Sequence, residues 1–223
     1  MKSVAIVTAT TGRKELVRAI ESVQWQSYPC QHYIFFDGVP VNVAVPHGVH
    51  VIPLPIKTGA NGIMNGGVCA AAAYLTQEDY LCFLDDDNWL EPNHVEDLVN
   101  VIGDNPYAYS LRNLVNPDGT FWGRDDGESL GHFGELVDVN CYMMARGFAC
   151  DISPLWYKSN GTLMVGDRYV WKVLSDNKVP YAASGKYSVN YRMSARGQDM
   201  RGYFFLKNIQ KRGQYPDGFP WAA

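Results

Sequence analysis

No stretch of eighteen consecutive apolar residues occurs in this chain, so the sequence contains nothing that reads as a membrane-spanning helix. Charge is scarce too: Asp, Glu, Lys and Arg make up 19% of the 223 residues, and acids outnumber bases to give a net charge of −4. That shortage of Lys and Arg excludes a general nucleic-acid binder, whose affinity rests on clustered cations. The five cysteines form no C-x-x-C pair and no zinc spacing with histidine, and they read as reduced structural thiols. H-E-x-x-H is absent, which removes that metallohydrolase motif. Also missing is a Pro/Gly/Ser-rich linker, so residues 1–223 are expected to form a single domain. Met1-Lys2-Ser3-Val4 runs straight into an apolar stretch without a signal-like segment, and a soluble cytoplasmic protein is the expectation.

What the chain does have is core-forming material, 47% hydrophobic and 13% aromatic. Val4-Ala5-Ile6-Val7 is a continuous apolar run, as expected of a strand buried on both faces. Leu16, Ala19, Ile20 and Val23 then recur at helical spacing within a predicted helix from Arg13 to Trp25. Further strands are predicted at 33–36, 49–54 and 80–84, with an alanine-rich helix over 68–75 between the last two. Another amphipathic helix should start at Pro92. Strand-helix alternation of this kind predicts an α/β fold with a doubly wound parallel sheet through about residue 105. Beyond Tyr107 come short strands and turns, a strand over 137–145, a helix after Gly166 and a strand near 187–193, read as an acceptor-side extension of the same sheet.

Ligands of an open parallel sheet lie beyond the carboxyl ends of its strands. The residues found there are polar: Thr8 and Thr10 after the first strand, Asp37 after the second, and Asp85-Asp86-Asp87 after the fourth. Three adjacent carboxylates repel each other, and a hard divalent cation, Mn²⁺ or Mg²⁺, completed by water and phosphate oxygens would relieve that repulsion. The alternative is that they face water and cap the helix at Pro92. Alternation along the chain would put Asp85 and Asp87 on one side and Asp86 on the other. Charge is unevenly distributed. Positions 85–97 carry six acids and no Lys or Arg, while 186–213 carry seven bases against Asp199, a division that suits a metal-diphosphate ligand.

These segments together resemble the family 2 glycosyltransferases of GT-A fold. The likeness rests on Val4 to Thr10 with the following Arg13-Lys14-Glu15-Leu16, on Phe35-Phe36-Asp37-Gly38, on Phe83-Leu84-Asp85-Asp86-Asp87-Asn88-Trp89-Leu90-Glu91-Pro92, and on Val165-Gly166-Asp167-Arg168. The resemblance implies a mostly parallel GT-A sheet flanked by helices, with 1–105 as the nucleotide-binding half and 106–223 as a smaller mixed acceptor-side half. It implies a nucleotide-sugar donor, most commonly a UDP-sugar, and a saccharide, lipid-linked or protein hydroxyl as acceptor. Thr8, Thr10, Arg13, Asp37, Asn65 and Asp86 would then contact the nucleotide, Asp86 at the ribose. Asp85 and Asp87 would hold the metal, and Asp167 would be the general base of an inverting transfer. Without the resemblance, Asp37 reads as a turn residue before Gly38 and Asp167 as a helix N-cap.

The chain departs from the pattern at Met64, where relatives often carry arginine before the asparagine. Lys57, or Arg196 or Arg201 in a lid over residues 194–202, would then supply the diphosphate contact. No histidine follows His132, so the additional C-terminal metal ligand of some relatives is missing. Among the tryptophans, Trp122 and Trp156 are the candidates for stacking on a sugar. Two other readings compete: a sugar-phosphate nucleotidyltransferase, which needs a glycine-rich basic signature that Thr8 to Arg13 lacks, and a catalytically silent nucleotide-sugar-binding protein.

Overall fold

The structure is a computed structural model, and it describes residues 1–59, 62–158 and 166–193. In chain order its elements are β1 (Val4–Thr10), α1 (Leu16–Gln24), β2 (Gln31–Asp37), β3 (His50–Leu54), α2 (Gly66–Leu75), β4 (Tyr80–Phe83) and β5 (Trp89–Leu90). There follow α3 (His94–Ile102), β6 (Tyr107–Val115), β7 (Phe121–Arg124), β8 (Tyr142–Ala145), α4 (Arg146–Tyr157), α5 (Asp167–Asp176) and β9 (Ala182–Arg192). All nine strands belong to one sheet in the order β3-β2-β1-β4-β8-β6-β9-β5, with β7 paired to β6.

The first four strands in that order pair in parallel, as the apolar runs predict. Beyond β4 the sheet becomes mixed: β8 is antiparallel to both β4 and β6, β9 is parallel to β6, and β5 is antiparallel to β9. The second half of the chain thus extends the same sheet, and the whole is an α/β fold with a mixed sheet flanked by helices. All five cysteines are free. Among the described residues, no helix is long and apolar enough to cross a membrane.

Three local boundaries differ from the sequence expectation. The first helix begins at Leu16, with Leu16 N donating to the Arg13 carbonyl at 3.3 Å, so Arg13 stands in the turn before it. The acidic run is followed by the two-residue strand β5 before α3 starts at His94, so the aspartates do not cap that helix. Residues 139–141 form a 3₁₀ turn, which shortens the expected strand to β8.

Helix α4 has no counterpart in the sequence reading, because Gly147 and Pro154 obscure its periodicity. Pro154 cannot donate to the carbonyl of Cys150, and the Tyr74 hydroxyl from α2 does so instead, at 3.0 Å. The two helices pack closely enough that a Cβ on Gly66 would stand 2.3 Å from the Trp156 carbonyl oxygen. Trp156 is 1% exposed and belongs to the core, which removes it as a sugar-stacking candidate, whereas Trp122 stays 38% exposed on β7.

Two fully buried histidines tie the sheet to acid. His32 Nε2 meets the Thr8 hydroxyl and His94 Nδ1 meets the Ser188 hydroxyl, each at 2.9 Å. Burial lowers both from 6.5 to about 3. Below pH 6.5 the unfolded chain binds protons that the folded chain refuses, so the stability each contributes at neutral pH is lost as pH falls towards 3. By pH 5 the loss is about 2 kcal/mol per histidine. In urea unfolding at pH 7 and pH 5, the wild type should therefore lose about 2 kcal/mol more than His94→Gln, whose side chain takes no proton.

Candidate active site

The carboxyl ends of β1, β2 and β4 open into a cleft of about 810 Å³, closed on its far side by β6, β9 and the start of α5. Of the residues expected at the site, Thr10, Arg13, Asp37, Lys57, Asn65, Asp85, Asp86, Asp87 and Asp167 all line it. Thr8 does not. Its side chain is fully buried and its hydroxyl is engaged by His32 on the neighbouring strand, because β1 runs on to Thr10 and Thr8 lies two residues short of the strand end. Arg196 and Arg201 lie outside the described residues.

Each wall is built from backbone-fixed carboxylates. Asp37, the last residue of β2, accepts the Thr58 amide at 2.7 Å. The following Gly38 has φ +69°, and a Cβ there would lie 2.4 Å from the Lys57 nitrogen, so this close approach requires glycine. Thr10 donates to Asp86 at 2.7 Å and accepts from the Gly12 amide at 2.9 Å. Asp86 is buried, while Asp85 and Asp87 on either side of it are partly exposed, which is the alternation expected at a strand end. The Arg13 guanidinium reaches Asp87 at 2.5 Å and lies 3.6 Å from Asp86. Asp85 is held by neutral amides: Asn65 donates to one oxygen at 2.7 Å and Asn140 to the other at 2.9 Å. The Asn140 side-chain oxygen also accepts the Asp85 amide at 2.5 Å.

On the opposite wall, Asp167 opens α5 behind Gly166, whose φ is +58°. It accepts the adjacent Arg168 amide at 2.8 Å and does not act as a side-chain N-cap. Between the walls lies a buried ion cluster. The Arg112 guanidinium bonds Asp125 at 2.7 Å, Glu128 at 2.5 Å and Asp138, and Glu128 also pairs with Arg168. Asn140 Nδ2 joins this cluster to Asp85 by a further bond to Asp138 at 2.7 Å.

Carboxylates crowded this way resist ionisation. Burial first, then the charge of Asp138, raises Asp85 to about 8, although the Asn140 hydrogen bond works against it. The same two causes raise Asp167 to about 7, opposed by Arg112 and Arg168. Asp86 is also raised by burial, against the pull of Thr10 and Arg13.

Comparison with known proteins gives this cleft its family. The model for "Glycosyl transferase family 2" matches residues 3–150, more than half of the chain. The chain belongs to that family. No curated protein sequence matches it. Among solved structures, S. aureus TarS 1–349 in complex with UDP superposes with a TM-score of 0.59 at 13% identity, covering 94% of this chain and 64% of that one. The same TarS segment in complex with UDP-GlcNAc gives 0.58 at 12% identity, over 87% and 59% of the two chains. The family 2 chain therefore spans less than two thirds of the length of these neighbours, and at such identity the likeness shows the fold, which is GT-A.

Several residues of the family 2 cleft escaped the sequence reading: Arg112, Glu128, Asp138, Asn140 and Arg192 all line or brace it. Arg112 left one visible trace, a lone charge inside the otherwise uncharged strand Tyr107–Val115. Removing that charge leaves buried Asp125 and Asp138 without their cation and Glu128 with Arg168 alone. Arg112→Met should lower stability by about 3–5 kcal/mol in urea unfolding at pH 7, the scale found when one partner of a buried ion pair is deleted.

Proposed function

We propose that this family 2 protein is a metal-dependent, inverting glycosyltransferase that moves a sugar from a nucleotide-sugar donor, a UDP-sugar, to a hydroxyl acceptor. The observation that carries the reading is the single cleft with two walls. One wall holds Asp37, Thr10 and the aspartate run, and the other holds Asp167. A carboxylate acceptor at Asp37 beside a hydroxyl suits the imide edge of uracil. The UDP and UDP-GlcNAc in the TarS structures support the same class of donor.

The donor set fits a hard divalent cation, Mn²⁺ or Mg²⁺. Asp85 and Asp87 offer carboxylate oxygens in a cleft whose crowded acids have their proton affinity raised, and such ions take one or two carboxylates and fill the rest with water and phosphate. Among the described residues no three His, Cys, Asp or Glu side chains form a closed metal cage, so phosphate oxygens would have to complete the coordination. When bound, the cation would neutralise charge on the departing diphosphate.

In the transfer, Asp167 takes the proton of the acceptor hydroxyl as its oxygen forms a bond to the sugar C1. The C1–O bond to the diphosphate breaks on the opposite face, its electron pair leaves with the nucleotide, and the anomeric configuration inverts. Asp86, held by Thr10, would meet the ribose, and Arg13 and Lys57, which line the same cleft, would offer cations to the nucleotide.

Incubation with UDP-sugars and Mn²⁺ should release UDP, by transfer or slow donor hydrolysis. Pyrophosphate release would support a nucleotidyltransferase, and donor binding without turnover a silent binding protein. Because Asp167 must be ionised to act and lies near 7, kcat/KM should rise about tenfold per pH unit below 7 and level off above it. Asp167→Asn should cut turnover by about 10²–10⁴-fold and abolish that rise, while UDP affinity by calorimetry changes little. Unchanged turnover in this variant would remove Asp167 as the base.

A further inference from the structure

Five basic side chains line the cleft, and three of them are committed to acids: Arg13 to Asp86 and Asp87, Arg112 to its carboxylate cluster, and Arg168 to Glu128. Arg192, the last residue of β9, differs from those three. Its Nε donates to the backbone carbonyl of Asp87 at 3.1 Å and a terminal nitrogen donates to the Pro117 carbonyl at 2.8 Å. The Arg192 amide donates to Asn88 Oδ1 at 2.8 Å. Its guanidinium carbon lies 5.4 Å from the Trp89 ring, which also carries Arg18 at 3.3 Å. The charge of Asp118 reaches Arg192, but that carboxylate accepts from Thr120 and forms no ion pair with it. A guanidinium is thus anchored by uncharged groups from the segment carrying the acidic run, with no carboxylate partner among the described residues.

Such an arrangement has a positive charge fixed in place and lacks only its anion. Two guanidinium groups on one indole repel: burial and then the charge of Arg192 lower the Arg18 pKa, against the pull of Glu21 and Glu91. Because Arg192 is tied to the Asp87 carbonyl, an anion that meets it also lies beside the aspartate run. We propose that Arg192 binds the donor diphosphate, taking the role the sequence reading gave to Lys57, Arg196 or Arg201. The residue is set by strand pairing between β9 and β6, where it lies opposite Val115, and needs no lid closure to arrive. This assignment rests on the nucleotide-donor reading above.

Calorimetric titration with UDP and with uridine, in Mn²⁺, of the wild type, Arg192→Gln and Arg192→Lys tests it. Arg192→Gln should weaken UDP by about tenfold or more, the loss of a charge-assisted contact, and leave uridine within about twofold, which also verifies that the variant is folded. Arg192→Lys should fall between, because an ammonium keeps the charge but not the fork. Equal losses for UDP and uridine, or none for either, would overturn the assignment while leaving the nucleotide reading intact. A wild type that binds neither UDP nor uridine would overturn the nucleotide reading and this assignment with it.

Discussion

Repulsion among carboxylates at one end of a sheet is the constraint around which this cleft is organised. Seven acids line it (Asp37, Asp85, Asp86, Asp87, Glu128, Asp138 and Asp167) against five basic residues. An ionised carboxylate inside protein is tolerated only with a counter-charge or several hydrogen bonds. The fold answers with Arg112 in the centre, bonded to three acids at once and itself almost wholly buried. Where that supply of positive charge ends, at Asp85 and Asp167, the acids hold their protons into the neutral range.

The ion cluster also joins two parts of the chain that the sheet brings together late. Asp85 follows β4 in the parallel half, while Asp167 opens α5 well beyond it in sequence. Asn140, in the 3₁₀ turn before β8, bridges Asp85 to Asp138, and Asp138 bonds Arg112 on β6. Arg112 bonds Glu128, and Glu128 bonds Arg168 next to Asp167. A continuous chain of hydrogen bonds and ion pairs thus runs from the wall of the aspartate run to the wall of Asp167, and their separation is fixed by buried groups.

Much of the wall carrying the aspartate run was legible in the sequence because it follows from strand ends. Apolar runs mark β1, β2 and β4, and the polar residues just after them must lie together in a parallel sheet. Thr8 misled because the apolar run does not reveal where the strand ends: β1 extends to Thr10, and Thr8, two residues short of that end, is engaged by His32. The opposite wall was hidden for a different reason. The partners of Arg112 on β6 come from positions 125, 128 and 138, which only tertiary folding assembles, and the β7 and β8 strands beside it are short. Arg192 sat within a basic stretch whose other members drew equal attention, and only its uncharged anchors distinguish it.

Those anchors point to a division between two kinds of support. Asp86 and Asp87 are neutralised directly by Arg13, at a position half open to solvent where such a pair contributes little to stability and exchanges readily. Asp85 is held on both oxygens by the amides of Asn65 and Asn140, and Arg192 by two backbone carbonyls. Amides and carbonyls fix geometry without cancelling charge. One unneutralised acid and one unneutralised base are therefore held rigidly at the same strand end, linked through the Asp85 to Asp87 backbone. A ligand carrying both signs, a divalent cation bound to a diphosphate, is the kind of species that would satisfy the pair together, and little reorganisation would be needed when it arrives.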